Sequence, residues 1–401
     1  MSDAAVAAPV KPPAPARLMS LDVYRGFTML LMASSGLRIP QVAKEFKDSA
    51  FWQSLAYQTD HVEWLGCSAW DLIQPSFMFM VGVSLPYSIA SRRAKGDSFG
   101  LMLGHAAWRS FLLVALAIFL TSAWSKQTEF VFTNVLAQIG LGYVFLFMLG
   151  WTMPRTQLVA AFGILLAYWG MFALHPLPGA DHEYSKVGLP KNWEYLTGFA
   201  AHWQKNANFA HNFDVWFLNL FPREKPFEFN RGGYQTLNFI PSLATMIFGL
   251  LAGGLLRGER TSAQKFWWLV GAGFTGLAAG FLLDLTGICP SVKRIWTPSW
   301  ALFSSGWAFL LLAFFYGVID LKGYQRWTFP MLVVGMNSIA MYVMAQISTT
   351  FIKNSLKTHL GQNVFESLGK PYAPMYEAAV VLLVMWLVCL WMYKRKIFLR
   401  I

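Results

Sequence analysis

Apolar residues fill long stretches of this chain, and the polar residues gather in short runs between them. Ten apolar stretches approach the ~20 residues a helix needs to cross a bilayer. They centre on residues 21–38, 69–90, 105–124, 131–150, 156–174, 237–256, 265–286, 299–320, 330–351 and 375–393. The pattern predicts an all-α, polytopic transmembrane helical bundle of about ten spans. No internal repeat shows, so the inverted repeats common among transporters are not expected.

Composition agrees. Hydrophobic residues make up 56% of the 401 and charged residues 13%, about half the charged share of a soluble domain. Basic residues set an orientation. With the N-terminus inside, the inner segments carry Lys11 and Arg17, then Arg92, Arg93 and Lys95, then Arg155, then Arg257, Arg260 and Lys265, then Lys322 and Arg326, and finally Lys394, Arg395, Lys396 and Arg400. That is the positive-inside pattern, and it predicts both termini in the cytoplasm of a multi-pass protein. Contact with the anionic lipid bilayer accounts for the net charge of +12 without a nucleic-acid partner.

Residues 1–17 form a Pro/Ala tail without the apolar core of a signal peptide; it is expected to be disordered and cytoplasmic. Residues 18–401 then form one membrane domain. Two outer segments, 39–68 and 175–236, exceed ordinary turns. The second holds Trp193, Tyr195, His202, Trp203, His211 and Trp216, and is expected to fold as a cap whose aromatic rings either stack on sugars or form an interfacial belt. Cys389 reads as an apolar filler; Cys67 and Cys289 both fall outside and could pair. Neither the cysteines nor His61-Val62-Glu63 has the spacing of a zinc site, so no metal is expected.

Candidate chemistry centres on His61, an imidazole at a span entrance where ionisable groups are costly to hold. It can act as a base, acid or nucleophile near neutral pH. Trp64 and Gly66 suggest a packed turn after it. Asp71 is the expected orienter of the ring, and Ser68-Ala69-Trp70-Asp71 also has the form of a helix capping box. Pro75 would interrupt the backbone ladder nearby. Asn134 and Gln138, Asn238 and Ser242, and Ser34 and Ser35 stand at similar depth, as helix glue or as a polar cavity beside His61. On the inner side Asp22 and Arg25 share a helix face. Asn337 and Ser338, after Gly335, interrupt the ninth span and could line a passage.

Several of these motifs carry a family resemblance. Ser20-Leu21-Asp22-Val23-Tyr24-Arg25-Gly26 resembles the opening of the heparan-α-glucosaminide N-acetyltransferase family, and His61–Gly82 resembles its signature block at His61, Trp64, Gly66, Asp71, Leu72, Pro75, Phe77, Phe79 and Gly82. Weaker similarity follows at 134–140, 241–245, 298–300, 306–307 and 335–338. The resemblance implies a transmembrane acetyltransferase that takes acetyl-CoA from the cytosol and acetylates an amino sugar or glycan fragment on the opposite, periplasmic or luminal, side. His61 would be its essential histidine, as acetyl carrier or as base, with Asp71 orienting it. Asn134, Gln138, Ser242 and Trp64 would line the acceptor or thioester pocket, and Arg25 and Asn337 would serve the donor. A bacterial inner membrane is the expected location, and a homodimer is a reasonable assembly. The first span ends Met32-Ala33-Ser34-Ser35-Gly36 where relatives carry Asn, and Arg231–Thr236 replaces an Asp-Pro-Glu-Gly segment; the acceptor is therefore open, and heparan is not implied. A sugar transporter and a non-catalytic glycan-binding platform are the competing classes.

Overall fold

The computed structural model describes residues 18–179 and 181–399; the N-terminal tail, with Lys11 and Arg17, and Arg400 lie outside them. The helices in chain order are α1 (Met19–Ala33), α2 (Ile39–Ala43), α3 (Ala50–Gln58), α4 (Ile73–Arg93), α5 (Phe99–Ser122), α6 (Val135–Leu149), α7 (Pro154–Ala173) and α8 (Phe209–Leu218). They continue with α9 (Phe239–Arg257), α10 (Ser262–Leu285), α11 (Pro298–Phe315), α12 (Phe329–Met336), α13 (Ser338–Ile347), α14 (Thr349–Leu360) and α15 (Ala373–Lys394). Among the described residues the β pairing is one isolated bridge, Leu65 with Val292.

The all-helical membrane architecture is as the apolar pattern predicts. Among the described residues, seven helices are long and apolar enough to cross a bilayer, and α12 with α13, bent by 70° at Asn337, makes an eighth if the pair counts as one span. The first and fourth expected spans form α1 and α6, each of 15 residues. At 1.5 Å per residue each covers ~22 Å, short of a ~30 Å hydrocarbon core. The reason in α1 is visible at its end. Ser35, Gly36, Leu37 and Arg38 all have positive φ, between 47° and 61°, and a right-handed helix cannot continue through that conformation.

Helices α1, α4, α9 and α11 form the centre, with the others packed around them. Missing side chains let the central backbones touch. A Cβ on Gly82 of α4 would overlap the Met246 carbonyl of α9, and one on Gly249 would overlap the Phe79 carbonyl of α4. Gly26 and Gly335 bring α1 and α12 together in the same way. Between lipid-like surfaces the hydrophobic effect gives helices little reason to associate, so this close van der Waals contact is what orders the bundle. α4 then runs 21 residues from the His61 end to Arg92 and Arg93, so the site and a basic loop lie ~30 Å apart on opposite faces.

The 175–236 segment is folded. It has 3₁₀ turns at Tyr184–Val187 and Gly198–Trp203, then α8. Trp203 is fully buried and stacks on Phe172, while Trp193 meets Trp64 edge-on. The segment shares a core with Tyr168, Leu237, Val292 and Ile295. Trp193, Trp203 and Phe209 thus face protein, while Tyr195, Phe199 and Trp216 are exposed. All three cysteines are free thiols, so the Cys67–Cys289 pairing is not made.

Asp214 fastens α8 to the start of α9 by accepting the Thr236 amide at 2.9 Å. Burial pushes its carboxyl up to about 6, against the Thr236 hydrogen bonds and Arg223. One turn earlier, burial and His182 lower His211 to about 4.

Two outcomes are expected. Gly249→Leu should disrupt assembly, lowering the unfolding temperature in detergent sharply, whereas Gly254→Leu, which faces open space, should leave it within a few degrees; equal effects would refute backbone contact as the cause. For Asp214 the folded-state pKa is raised, so its contribution is present below pH ~4 and lost as pH rises through about 6. Asp214→Asn should therefore stabilise α8 at pH 8, by up to about 3 kcal/mol, and converge on wild type near pH 4. Amide hydrogen exchange in α8 measures this, and the His211 contribution, of opposite sign, is common to both proteins. A pH-independent difference would contradict the assignment.

Candidate active site at the mouth of the bundle

Asp71 does two jobs, one with each oxygen. Its Oδ2 accepts the Ser68 amide at 3.1 Å, completing the capping box that starts the 3₁₀ turn Ala69–Leu72, and also accepts the Val62 amide at 3.3 Å. The Ser68 hydroxyl lies 3.0 Å from the same oxygen and 2.6 Å from the Asp60 carbonyl. Oδ1 stands 2.7 Å from Nδ1 of His61. A carboxylate oxygen only accepts, so Nδ1 donates in this contact when it carries the ring proton, and in that neutral tautomer the lone pair is on Nε2. Pro75 falls in the first turn of α4, where the 3₁₀ turn passes into α-helix.

A third member comes from far along the chain. Lys293 donates to Asp71 Oδ1 at 3.0 Å, and its Nζ stands 2.9 Å from His61 Nδ1. The side chains of Asp71 and Lys293 are 0% and 4% exposed against 38% for His61, so the imidazole is the member that a substrate can reach. Burial lowers the Lys293 pKa and Arg294 adds to this, while Asp71 pulls in the other direction. Arg294 staples the surrounding loops, donating to the Gly232 carbonyl at 2.7 Å and the Val62 carbonyl at 3.2 Å. Pairing of Leu65 with Val292 and of the Gly66 amide with the Ser291 carbonyl (3.1 Å) completes the junction. Between Lys293 and the Thr297 cap of α11, Trp296 is held at φ 49°, a rare conformation for a large side chain, with its indole donating to Thr245. Burial and Asp71 raise the nearby Cys67 thiol to about 12, so it stays protonated and is no rival nucleophile.

His61 and Lys293 open on a cavity of about 860 Å³ that Arg38, Asn134, Gln74 and Tyr234 also line. Arg38 reaches it from the left-handed turn and pairs with Glu377 of α15 at 2.6 Å. A second cavity, about 570 Å³, lies towards the opposite face and is lined by Arg25, Arg109, Ser84, Ser88 and Tyr87. Arg25 donates to Ser84 at 2.9 Å and pairs with Asp22; Arg109 donates to the Tyr143 hydroxyl at 3.1 Å and lies over that ring.

Of the residues singled out in the sequence, His61 and Asn134 line the first cavity, Asp71 is buried behind His61, and Arg25 lines the second. Asn134 also caps α6, accepting the Ala137 amide at 3.0 Å. Four others lie outside both linings. Gln138 is buried and donates to the Phe132 and Thr236 carbonyls; Ser242 bonds back to the Phe239 carbonyl. Trp64 is buried in the cap core, its indole donating to the Trp203 carbonyl at 3.1 Å. Asn337 secures the α12–α13 elbow to the C-terminal segment, donating to the Ile397 carbonyl and accepting the Leu399 amide. In each case a backbone carbonyl or amide already holds the side-chain amide, hydroxyl or indole. Lys293, Arg294 and Arg109 went unread. Their signals were present: a Lys-Arg pair on the side opposite the basic loops, and an arginine amid an apolar span. Among the described residues, no group of three or more His, Cys, Asp and Glu could hold a metal ion.

No family model matches the chain. It is similar to the heparan-alpha-glucosaminide N-acetyltransferase of Homo sapiens, 25% identical over 404 residues, and to that of Mus musculus, 24% identical over 397. Each match covers 87% of this chain and 57% of the relative, so the chain spans little more than half the length of the proteins it matches. The resemblance read from separate motifs thus belongs to a match over most of the chain.

Removing either partner of the buried Asp71–Lys293 pair leaves an uncompensated charge. Asp71→Ala and Lys293→Met are each expected to cost about 3–5 kcal/mol of stability, and the double variant to lose about 1–3 kcal/mol less than their sum. Denaturation in detergent measures the cycle; strictly additive losses would show that the two charges do not hold each other.

Proposed function

We propose that this chain is a transmembrane acetyltransferase, as its likeness to the heparan-alpha-glucosaminide N-acetyltransferases suggests, moving acetyl from cytosolic acetyl-CoA to the amine of a glucosamine-type sugar on the His61 side. The observation that carries the reading is His61 itself: Nδ1 is committed to a buried carboxylate, and the ring opens on a cavity at the mouth of the bundle. A free Nε2 lone pair beside an acceptor is what deprotonation of an amine requires.

The reaction then balances as follows. Nε2 takes a proton from the sugar nitrogen as that nitrogen attacks the thioester carbonyl. The C–N bond forms, the C–S bond breaks, and the departing thiolate receives the proton back from His61. Asp71 keeps the proton on Nδ1 and balances the imidazolium charge in transit; Lys293 and the Ser68 and Val62 amides hold Asp71 in place. A cavity of about 860 Å³ has room for thioester and sugar together, which favours direct transfer over an acetylated histidine. Asn134, Gln74 and Tyr234 offer polar groups to the sugar. Arg25 and Arg109 supply positive charge in the second cavity, suited to the CoA phosphates. That cavity lies towards the basic loops, which suits a donor arriving from the cytosol of a bacterial inner membrane.

The test is transfer of labelled acetyl from acetyl-CoA to glucosamine by purified protein. His61→Ala is expected to lower the rate by about 10²–10⁴-fold while the protein remains monodisperse. Undiminished transfer would remove the histidine from the chemistry. Flux of a sugar without any acetyl-CoA turnover would replace the enzyme with a transporter.

A further inference from the structure

Three side chains line both cavities: Phe77 of α4, Val135 at the start of α6 and Tyr342 of α13. They are apolar or aromatic, and each comes from a different helix. On one side of them stand His61 and Lys293, and on the other Arg25 and Arg109. We infer that Phe77, Val135 and Tyr342 form a neck that selects the acyl group by its size; the inference rests on the acetyltransferase reading above.

The neck separates two chemistries. A sugar entering it would leave its hydroxyls without partners, at a cost of roughly 0.5–2 kcal/mol or more for each. The S–CH₂–CH₂ end of a thioester arm carries no hydroxyl or amide and meets a smaller barrier. The acceptor is thereby kept on the His61 side while the donor's charged portion stays among Arg25 and Arg109. The acyl carbons must end beside His61, in a cavity whose wall includes Phe77, Val135 and Tyr342, so the two rings and the isopropyl group are surfaces against which a longer acyl chain would pack. A pocket that measures methylenes in this way discriminates by about 10–200-fold per group.

The surrounding structure holds the neck in shape. Phe77 follows Asp71 by six residues on one continuous helical path, ~9 Å along its axis, so the ring is indexed to the carboxylate that positions His61. Val135 follows the Asn134 cap directly. Tyr342, nearly buried, sits one turn beyond the 70° elbow that Asn337 ties to Ile397 and Leu399. Sequence places the three residues at 77, 135 and 342, and nothing in their local motifs joins them.

The experiment compares initial rates of transfer to glucosamine from acetyl-CoA and butyryl-CoA, using the full chain in lipid nanodiscs, with CoA binding measured by calorimetry. Wild type is expected to favour acetyl. Phe77→Ala and Val135→Ala widen the neck and should raise the butyryl-to-acetyl ratio by about tenfold or more, a gain that misfolding cannot produce. Val135→Trp narrows it and should lower transfer from both donors by about 100-fold or more while CoA still binds within about threefold of wild type. A ratio unmoved in both widened variants, activity lost in both, or Val135→Trp turning over normally would each overturn the neck and leave the acetyltransferase standing. Absence of transfer by wild type from any acyl-CoA would remove the underlying reading, and the neck with it.

Discussion

The buried carboxylate of Asp71 is the interaction on which the functional face depends. Its two oxygens collect the Ser68 and Val62 amides, the His61 imidazole and the Lys293 ammonium. A charge with no solvent contact must be fully hydrogen-bonded and countered, or the surrounding structure gives way. Meeting that demand draws the 59–68 loop, the start of α4 and the 286–297 loop into one junction. The same bonds hold the ring of His61 in place. Stability at the mouth of the bundle and the orientation of the imidazole therefore have a common source.

Below this junction the bundle holds together for a different reason. α4 meets α9, and α1 meets α12, at glycines whose absent side chains let backbones touch. Beside α4 two cavities of different character lie end to end. One is polar and carries the imidazole; the other carries two arginines. Phe77, Val135 and Tyr342 stand where they meet. This division suits a reaction whose two substrates come from opposite sides of a membrane, since each finds its own chemistry and only the transferred group has to approach the boundary.

Some departures from simple expectation have local causes. α1 stops at 15 residues because four consecutive left-handed residues follow, and that turn delivers Arg38 to the cavity wall, where Glu377 of α15 holds it. Trp64 occupies a position in the signature block yet packs into the core beneath the cap, where its indole finds the Trp203 carbonyl. The polar residues at one depth in several spans divide likewise: Asn134 faces a cavity, while Gln138 and Ser242 satisfy backbone groups.

The sequence alone determined the helical membrane class, through apolar runs with few charges, and it singled out His61 and Asp71, because an imidazole and a capping-box carboxylate ten residues apart share one continuous turn. Local spacing suffices for what neighbours in the chain decide. Lys293 lies 222 residues from its carboxylate, and the residues at the neck are contributed by α4, α6 and α13. Such meetings follow from which helices pack together and at what angle, and that depends on close backbone contact at positions such as Gly82 and Gly249, which a hydropathy pattern does not reveal. The 70° elbow at Asn337 and the left-handed turn after α1 likewise persist only because tertiary partners, the C-terminal segment and α15, hold them.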